Sequence, residues 1–388
     1  MNTNPTANTP RAFAMTTVLA ACGRTLAALC ICCTPVNAAD LPRAGTFCPQ
    51  VPETERWLNA GTPDVGAQPP LLSAHRGGTT LAPENTIWAY RHAFAYDMDF
   101  VEVDVRETLD GVFISMHDDT VDRTTNGTGP IAQLTWAQIQ PLNAADFLPW
   151  QGTQYDPSPV PRLEEILELV RNSGKGIEFD IKDLRKVTQF FDLVASYGLL
   201  PRSYFAISGD QASAAQAYNP EIRVIFNVDG GESPTLLFNE AQRTTVYGSQ
   251  LDRFTPEKIA AIHDGCGLVI PHSYDNTILL EADQFKRGRD IGTDGAQVDQ
   301  PDVIAEVAER DVPARLAYRA ASRQICLLNS TNGLGIPRRL LSVFRGLQLP
   351  SVRTTDREGC VTLPAEQRAY TVVHFGTAGV QDAQLRVP

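Results

Sequence analysis

The chain has 388 residues, 43% of them hydrophobic and 20% charged, with a formal net charge of −12. That balance describes a folded globular chain and excludes an extended disordered one. It also argues against a nucleic-acid partner held by bulk charge, because a net anion repels a polyanion; only a small phosphate gripped locally by one or two basic groups remains open.

Arg11 and Arg24 are the only charges before Asp40. The apolar run "TLAALCICCTPVNA" ends in small residues, and Val36 and Ala38 suit cleavage before Ala39, so residues 1–38 read as a signal peptide. The expected destination is the periplasm or the medium. A competing reading takes "LAAC", Leu19 to Cys22, as a lipoprotein signal with Cys22 acylated. Arg24 splits the apolar stretch into pieces too short for a stable membrane span. Residues 39–70, rich in Pro, Gly and Ala, form a lead-in.

From Leu71 onward, strand-like and helix-like segments alternate. The predicted strands are "LLSAHR", "FVEVDVRE", "VFISMHD", "GIEFDIK", "YFAIS", "IRVIFNV", "GLVIPHS" and "GAQVD". Between them lie "NTIWAYRHAFAYD", "LEEILELVRNSG", "LRKVTQFFDLVASYG", "TPEKIAAIHDG" and "PDVIAEVAERD", which carry helical periodicity. Apolar strands alternating with amphipathic helices predict a parallel sheet, and this many predict a distorted (β/α)8 TIM barrel over residues 71–321. The link "TLDG" between the second and third strands is too short for a right-handed crossover, so a hairpin is expected there, with Asp110-Gly111 at its turn. A Thr-, Gly- and Pro-rich excursion follows at about 118–160. Residues 322–388 read as a small all-β sandwich, from "QICLLNS", "RLLSVFRG", "CVTLP" and "AYTVVHFG".

Of the eight cysteines, Cys22, Cys30, Cys32 and Cys33 fall in the targeting segment. Cys48, Cys266, Cys326 and Cys360 remain, and in an oxidising compartment Cys326 with Cys360 is the favoured pair, because both sit in the tail.

The chemistry gathers at the strand ends. His75 and Arg76 close the first strand, and His117 closes "VFISMHD". Glu102 and Asp104 alternate with Val101, Val103 and Val105, so the two acids share one face. Glu178, Asp180 and Lys182 share a face of "GIEFDIK" in the same way. In a parallel barrel these groups converge at the mouth made by the strands' C-terminal ends. Carboxylates so crowded repel one another unless a cation intervenes, and all-oxygen donors select Ca²⁺ or Mg²⁺. Arg76 suits a phosphate oxygen, and two imidazoles can divide acid and base work near neutral pH. His263 reads as a helix-surface residue, and His272 fits pocket or packing equally. Asp118 and Arg123 read as loop structure, and Asp294 and Asp299 as structural, although Asp299 lies near the mouth.

The segments "HRGG", "APENT", "VEVDV", "TLDG", "MHDDTVDRTTNGTG" and "LTWAQIQPLN" resemble, in order and spacing, the glycerophosphodiester phosphodiesterase family. The likeness continues more loosely through "PRLEEILE" and "EFDIK" to "GAQVDQPDVI". It implies a metal-dependent hydrolase that releases glycerol 3-phosphate and an alcohol from a small glycerophosphodiester, through a cyclic phosphate. Carried over by motif, His75 and His117 become the catalytic pair and Arg76 the phosphate-binding arginine, with Lys182 beside it. Glu102 and Asp104 become metal ligands. Asp180, two residues before Lys182, takes the next ligand position, with Glu178 as the alternative. Glu84 orients Arg76 or contacts the metal. One departure stands out: "GLVIPHSYDNT", with His272 and Tyr274, replaces the family's late Trp- and Asn-bearing strand, which leaves the alcohol side of the pocket open. The tail has a faint transthyretin-like character and no assigned partner.

Three other functions compete. A phospholipase D-like enzyme acting on lysophospholipids or sphingolipids would use a related barrel. A non-catalytic barrel binding protein would be expected to have lost a histidine or an acid of the set, and none is missing. A glycosidase would explain paired carboxylates but not two histidines beside Arg76.

Overall fold

The computed structural model describes residues 70–387 apart from 208, 228–245, 265–266, 273–277, 346–349, 365–368 and 377–379. The signal peptide, Cys22, the lead-in up to residue 69, Cys48, Cys266 and Tyr274 therefore lie outside the described residues.

Eight parallel strands make the barrel: β1 (Leu71–Ala74), β2 (Phe100–Glu107), β4 (Gly176–Ile181), β5 (Ser203–Ala206), β6 (Val224–Asn227), β7 (Val246–Gly248), β8 (Leu268–Val269) and β9 (Gly295–Val298). Their order is β8-β7-β6-β5-β4-β2-β1-β9. Parallel bridges from His272 to Gln250 and to Gln297 bring the two ends of the sheet together. β3 (Phe113–Ser115) runs antiparallel to β2, as the short "TLDG" link requires. The turn closes on Gly111, at φ 85°, a backbone region that favours glycine.

The sequence reading placed "VFISMHD" among the barrel strands. That segment is the hairpin arm β3, and the place in the barrel belongs to β7, "VYG". Three residues carry too little alternation to announce a strand; their pairing with β6 and β8 makes one.

Residue alternation along β2 decides what faces where. Val101, Val103 and Val105 join the buried layer between sheet and helices, with Phe94, Ile166, Ile177 and Phe179. Phe100, Glu102 and Asp104 consequently point into the barrel. Helix α1 (Ile87–Ala95) starts at Thr86, whose side chain accepts the Ala89 amide. A later helix, Leu163–Ser173, ends on Gly174 at φ 73°.

Two antiparallel sheets follow the barrel. One is ordered β10 (Ala314–Arg319), β11 (Gln324–Asn329), β14 (Cys360–Thr362). The other is ordered β13 (Ser351–Thr354), β12 (Leu340–Phe344), β15 (Tyr370–His374), β16 (Ala383–Val387). Leu327, Leu341, Val343, Val361 and Val372 are buried between them. The first strand begins at Ala314, ahead of residue 322, because "ARLAYR" pairs along its whole length with β11. Cys326 and Cys360 face each other across β11 and β14 and form a disulfide.

These sheets pack on α1 and on the loop after β1. Tyr96 donates to the Pro337 carbonyl, Asn329 to that of Ala95, and Arg338 to that of Thr80. Among the described residues, no helix is long and apolar enough to cross a membrane.

Candidate active site

Parallel pairing of β2 with β4 sets Glu102 opposite Glu178 and Asp104 opposite Asp180. Two rungs of carboxylates thus stand inside the barrel, one repeat apart. Glu102, Asp104 and Asp180 each bring an oxygen within 4.8 Å of the other two. Glu178 turns away: it accepts from Ser73 Oγ at 2.6 Å and from Gln297 Nε2 at 2.9 Å. Of the two acids weighed for the third ligand position, Asp180 is the one in the cluster.

The cluster is unevenly neutralised. Lys182 Nζ lies 2.9 Å from Asp104 Oδ1 and 2.6 Å from Asp180 Oδ2. Burial would pull the ammonium down, but the charges of Asp104 and Asp180 outweigh it and hold Lys182 protonated. Burial would likewise raise Asp104, yet Lys182 and an Asn85 hydrogen bond keep it below the ordinary carboxylate range. Glu102 has the backbone amide of Arg76, at 2.8 Å, and no side-chain cation in an ion pair among the described residues. Burial first, then Asp104, Asp180 and Glu178, push it well above the ordinary range. Burial also pushes Glu178 up to about 7, despite its bond from Ser73.

Arg76 sits at φ 50° in the tight turn after β1. That strained backbone aims its amide at Glu102 while its side chain reaches Glu84, with Nη1 to Oε1 at 3.0 Å. Arg76 Nε lies 3.6 Å from Asp104 Oδ2. Glu84 is also held by Arg123, through Nη1 at 2.9 Å and Nη2 at 2.7 Å. Burial alone would raise Glu84; the Arg123 hydrogen bonds and the Arg76 charge overcome it and keep the carboxylate ionised.

Each candidate histidine has a carboxylate at Nδ1. His75 pairs with Asp299 Oδ1 at 2.9 Å, and His117 with Asp118 Oδ1 at 2.8 Å. Asp299 was read as structural; the closing of the sheet beside β1 brings it onto His75, and Thr79 also donates to it. Asp118 and Arg123 were read as loop structure, and both lie in contact with site residues. Arg106 fixes the His117 carbonyl with two hydrogen bonds.

Asn85 escaped the sequence reading altogether. It is buried at φ 56°, donates to Asp104 Oδ2 at 2.8 Å, and accepts from Tyr90 and Ser115. Its signal lay in "APENT": Asn is among the few residues that adopt a left-handed turn readily.

His272 serves as both packing and pocket. Its backbone bridges Gln250, just beyond β7, and Gln297 of β9, and it lines an interior cavity with His75, Glu102, Glu178, Asp180 and Gln297. Burial, then the His75 charge, lower it to about 4. His263 is not a plain surface residue, since it pairs with Asp294 at 2.9 Å.

With this geometry in view, comparison with known proteins is decisive. The sequence pattern of the glycerophosphoryl diester phosphodiesterase family matches residues 75–303, more than half of the chain. The chain belongs to that family. It is 42% identical over 109 residues to human glycerophosphodiester phosphodiesterase 1, a stretch that spans 28% of this chain and 33% of the human one. It is 38% identical over 112 residues to a glycerophosphodiester phosphodiesterase of Caldanaerobacter subterraneus subsp. tengcongensis, spanning 29% and 45% of the two chains. The matches to these relatives thus span less than half of their length.

Solved structures of the family extend the likeness over the barrel. The glycerophosphodiester phosphodiesterase of Agrobacterium tumefaciens superposes with a TM-score of 0.53 at 28% identity, covering 61% of this chain and 99% of its own. A phosphodiesterase of Oleispira antarctica, solved with the product sn-glycerol-3-phosphate, shares the fold with a TM-score of 0.53 at 23% identity, covering 63% and 98%.

Oxygen donors from Glu102, Asp104 and Asp180 fit a hard divalent cation. Each carboxylate has room for further donors or a cation, and Glu102 forms no ion pair among the described residues.

Proposed function

We propose that this protein hydrolyses glycerophosphodiesters to glycerol 3-phosphate and an alcohol, at a site that takes a divalent cation, Ca²⁺ or Mg²⁺. One observation carries the reading: the cation-sized triangle of Glu102, Asp104 and Asp180 lies beside a phosphate-seeking arginine and two carboxylate-paired histidines. Family membership supports it.

The roles follow from the contacts. Arg76, anchored by Glu84, presents a permanent positive charge to a phosphate oxygen. Asp299 and Asp118 accept hydrogen bonds from Nδ1 of His75 and His117, which orients each ring and leaves proton exchange to Nε2. One imidazole removes the proton from the glycerol hydroxyl next to the phosphate. The hydroxyl oxygen then attacks phosphorus, the other imidazole protonates the departing alcohol, and water opens the cyclic phosphate with the roles reversed. Lys182 keeps Asp104 ionised, holds Asp104 and Asp180 side by side through one contact to each, and adds a second positive charge to the site for a phosphate. Bound between Glu102, Asp104 and Asp180, the cation would supply charge stabilisation to the phosphoryl oxygens.

A second reading rests on the rim. Phe147, Leu148, Pro149 and Trp150 line a cavity together with His75 and Arg76, and Leu148 is 82% exposed. An apolar ledge there suits a leaving alcohol with an acyl chain, as in lysophospholipids. Export of the protein fits the Cys326–Cys360 disulfide, which persists in oxidising compartments.

The test is turnover of glycerophosphocholine and of lysophosphatidylcholine, with and without a chelator, in wild type, His75→Ala and His117→Ala. Glycerol 3-phosphate should form from the first substrate and cease under chelation and in both variants, whose losses should be on the order of a hundred-fold or more. Turnover that survives chelator and substitutions alike would defeat the assignment. Preference for the lysolipid would favour the second reading.

A further inference from the structure

We propose that Arg123 is a positioning residue of this site, setting His117 and Arg76 against each other across the barrel mouth. The inference rests on the hydrolase reading above and assigns work to a side chain that touches neither phosphate nor cation in that reading.

Arg123 makes four hydrogen bonds to two carboxylates. Its Nη1 and Nη2 grip Glu84 at 2.9 and 2.7 Å; its Nε and Nη2 grip Asp118 at 2.7 and 3.0 Å. Glu84 is the acceptor for Arg76 Nη1, and Asp118 is the acceptor at His117 Nδ1. A continuous chain therefore runs Arg76–Glu84–Arg123–Asp118–His117, joining the loop after β1 to the loop after β3. Among the described residues, no strand pairing joins those two loops directly; the planar fork does so with two bidentate contacts.

Stability does not account for this arrangement. The Arg123 side chain is 42% exposed, and exposed ion pairs contribute little to folding. The loop that carries it is already pinned by other means. The Thr125 amide and hydroxyl both donate to the Val121 carbonyl, Val121 donates to Gly129, and Ile131 donates to Asp119. Thr124 and Thr125, which follow the arginine in the loop, are buried. The scaffold holds Arg123 in place, and Arg123 in turn holds two carboxylates whose other oxygen contacts are a phosphate-binding group and a proton-transfer group. Misplacing such groups by about 1 Å costs on the order of a hundred-fold in rate.

Arg123→Ala and Arg123→Lys, made in the full-length chain, test the idea. Lysine keeps the charge but cannot fork onto both carboxylates. Both variants should melt close to wild type. In glycerophosphocholine turnover kcat should fall roughly 10- to 100-fold with KM little changed, since Arg123 does not touch substrate. Added guanidinium should restore part of the kcat of Arg123→Ala. The nitrogen and proton NMR signals of the His117 imidazole, read without substrate, should change in both variants as the Asp118 contact loosens. Unchanged kcat together with an unchanged His117 signal would overturn the proposal, and so would a rise in KM alone, which would make Arg123 a substrate contact. If wild type itself turns over no glycerophosphodiester while the His117 signal still depends on Arg123, the hydrolase reading falls and the positioning role stands.

Discussion

Replacing Glu102 by glutamine should make the cation-free protein more stable and abolish its response to divalent cations. Two unit charges 4.8 Å apart, the outer limit within the cluster, repel by about 3.5 kcal/mol at an effective dielectric of about 20. Glu102 faces two such neighbours, Asp104 and Asp180. Lys182 offsets most of the field from those two, since it lies within 2.9 Å of both, so the net strain falls to about 1–3 kcal/mol. Without a cation, Glu102 relieves that strain by holding a proton, as its raised position indicates. Its folded form then binds a proton that the unfolded chain has lost, so stability is fully present below the ordinary value of 4.5 and declines as the pH climbs above it. Glu102→Gln removes this loss.

The assay is thermal unfolding after exhaustive chelation, over a pH series, with Ca²⁺ or Mg²⁺ returned. Wild type should lose stability with rising pH when cation-free and regain about 2.7 kcal/mol at a cation concentration a hundred times the dissociation constant. Glu102→Gln should show a flatter pH dependence, a higher cation-free melting temperature at pH 8, and no cation-induced rise. A variant that is less stable than wild type without cation, yet stabilised equally by its return, would refute the claim that Glu102 is a strained ligand.

Three more outcomes follow from the same contacts. Asn85→Ala removes the Asp104 hydrogen bond and leaves the Tyr90 and Ser115 hydroxyls without their shared acceptor; chemical denaturation should show a loss of about 1–3 kcal/mol, and calorimetric titration a cation affinity weaker by roughly 10- to 100-fold. Glu178 is raised to about 7 by burial, so its stabilising effect is present below pH 4.5 and lost as the pH rises through 7; Glu178→Gln should flatten the stability profile across that interval, and an unaltered slope would count against it. Cys326 and Cys360 are 34 residues apart in sequence, and reduction or Cys326→Ser with Cys360→Ser should cost about 2–4 kcal/mol of stability, measured by denaturation of the full chain, while glycerophosphocholine turnover below the melting range stays near wild type.

The legible parts of this molecule were those written locally. "FVEVDVRE" fixed a strand because valines and acids alternate with period two, and that alternation alone sent Glu102 and Asp104 inward. "TLDG" announced a hairpin because four residues cannot carry a crossover. What stayed hidden depends on contacts between distant segments. Asp299 reaches His75 across 224 positions of sequence: a closed barrel sets the last strand beside the first, but nothing near "GAQVDQ" shows that this carboxylate will meet the His75 ring. Arg123 and Glu84 are 39 positions apart, so a loop arginine gave no sign of its partner. The strand "VYG" failed for another reason: its neighbours, not its own side chains, make it a strand.

The charges at the mouth show why a cation belongs in the proposed chemistry. Glu84, Glu102, Asp104, Asp118 and Asp180 face Arg76, Arg123 and Lys182, all joined by the contacts described. These five acids outnumber the three bases, and Asp299 beside His75 adds another carboxylate, so the cation-free site carries an excess of negative charge. An anionic phosphodiester approaching the cation-free mouth would meet like charge, and Arg76 alone, shared with Glu84 and near Asp104, is poorly placed to outweigh it. Protonating Glu102 removes only a single charge of that excess. A divalent ion held by Glu102, Asp104 and Asp180 would offset more of it and would make an acid-lined barrel more attractive to phosphate. The same carboxylates that make the empty cluster unfavourable are therefore what would make substrate binding conditional on the cation.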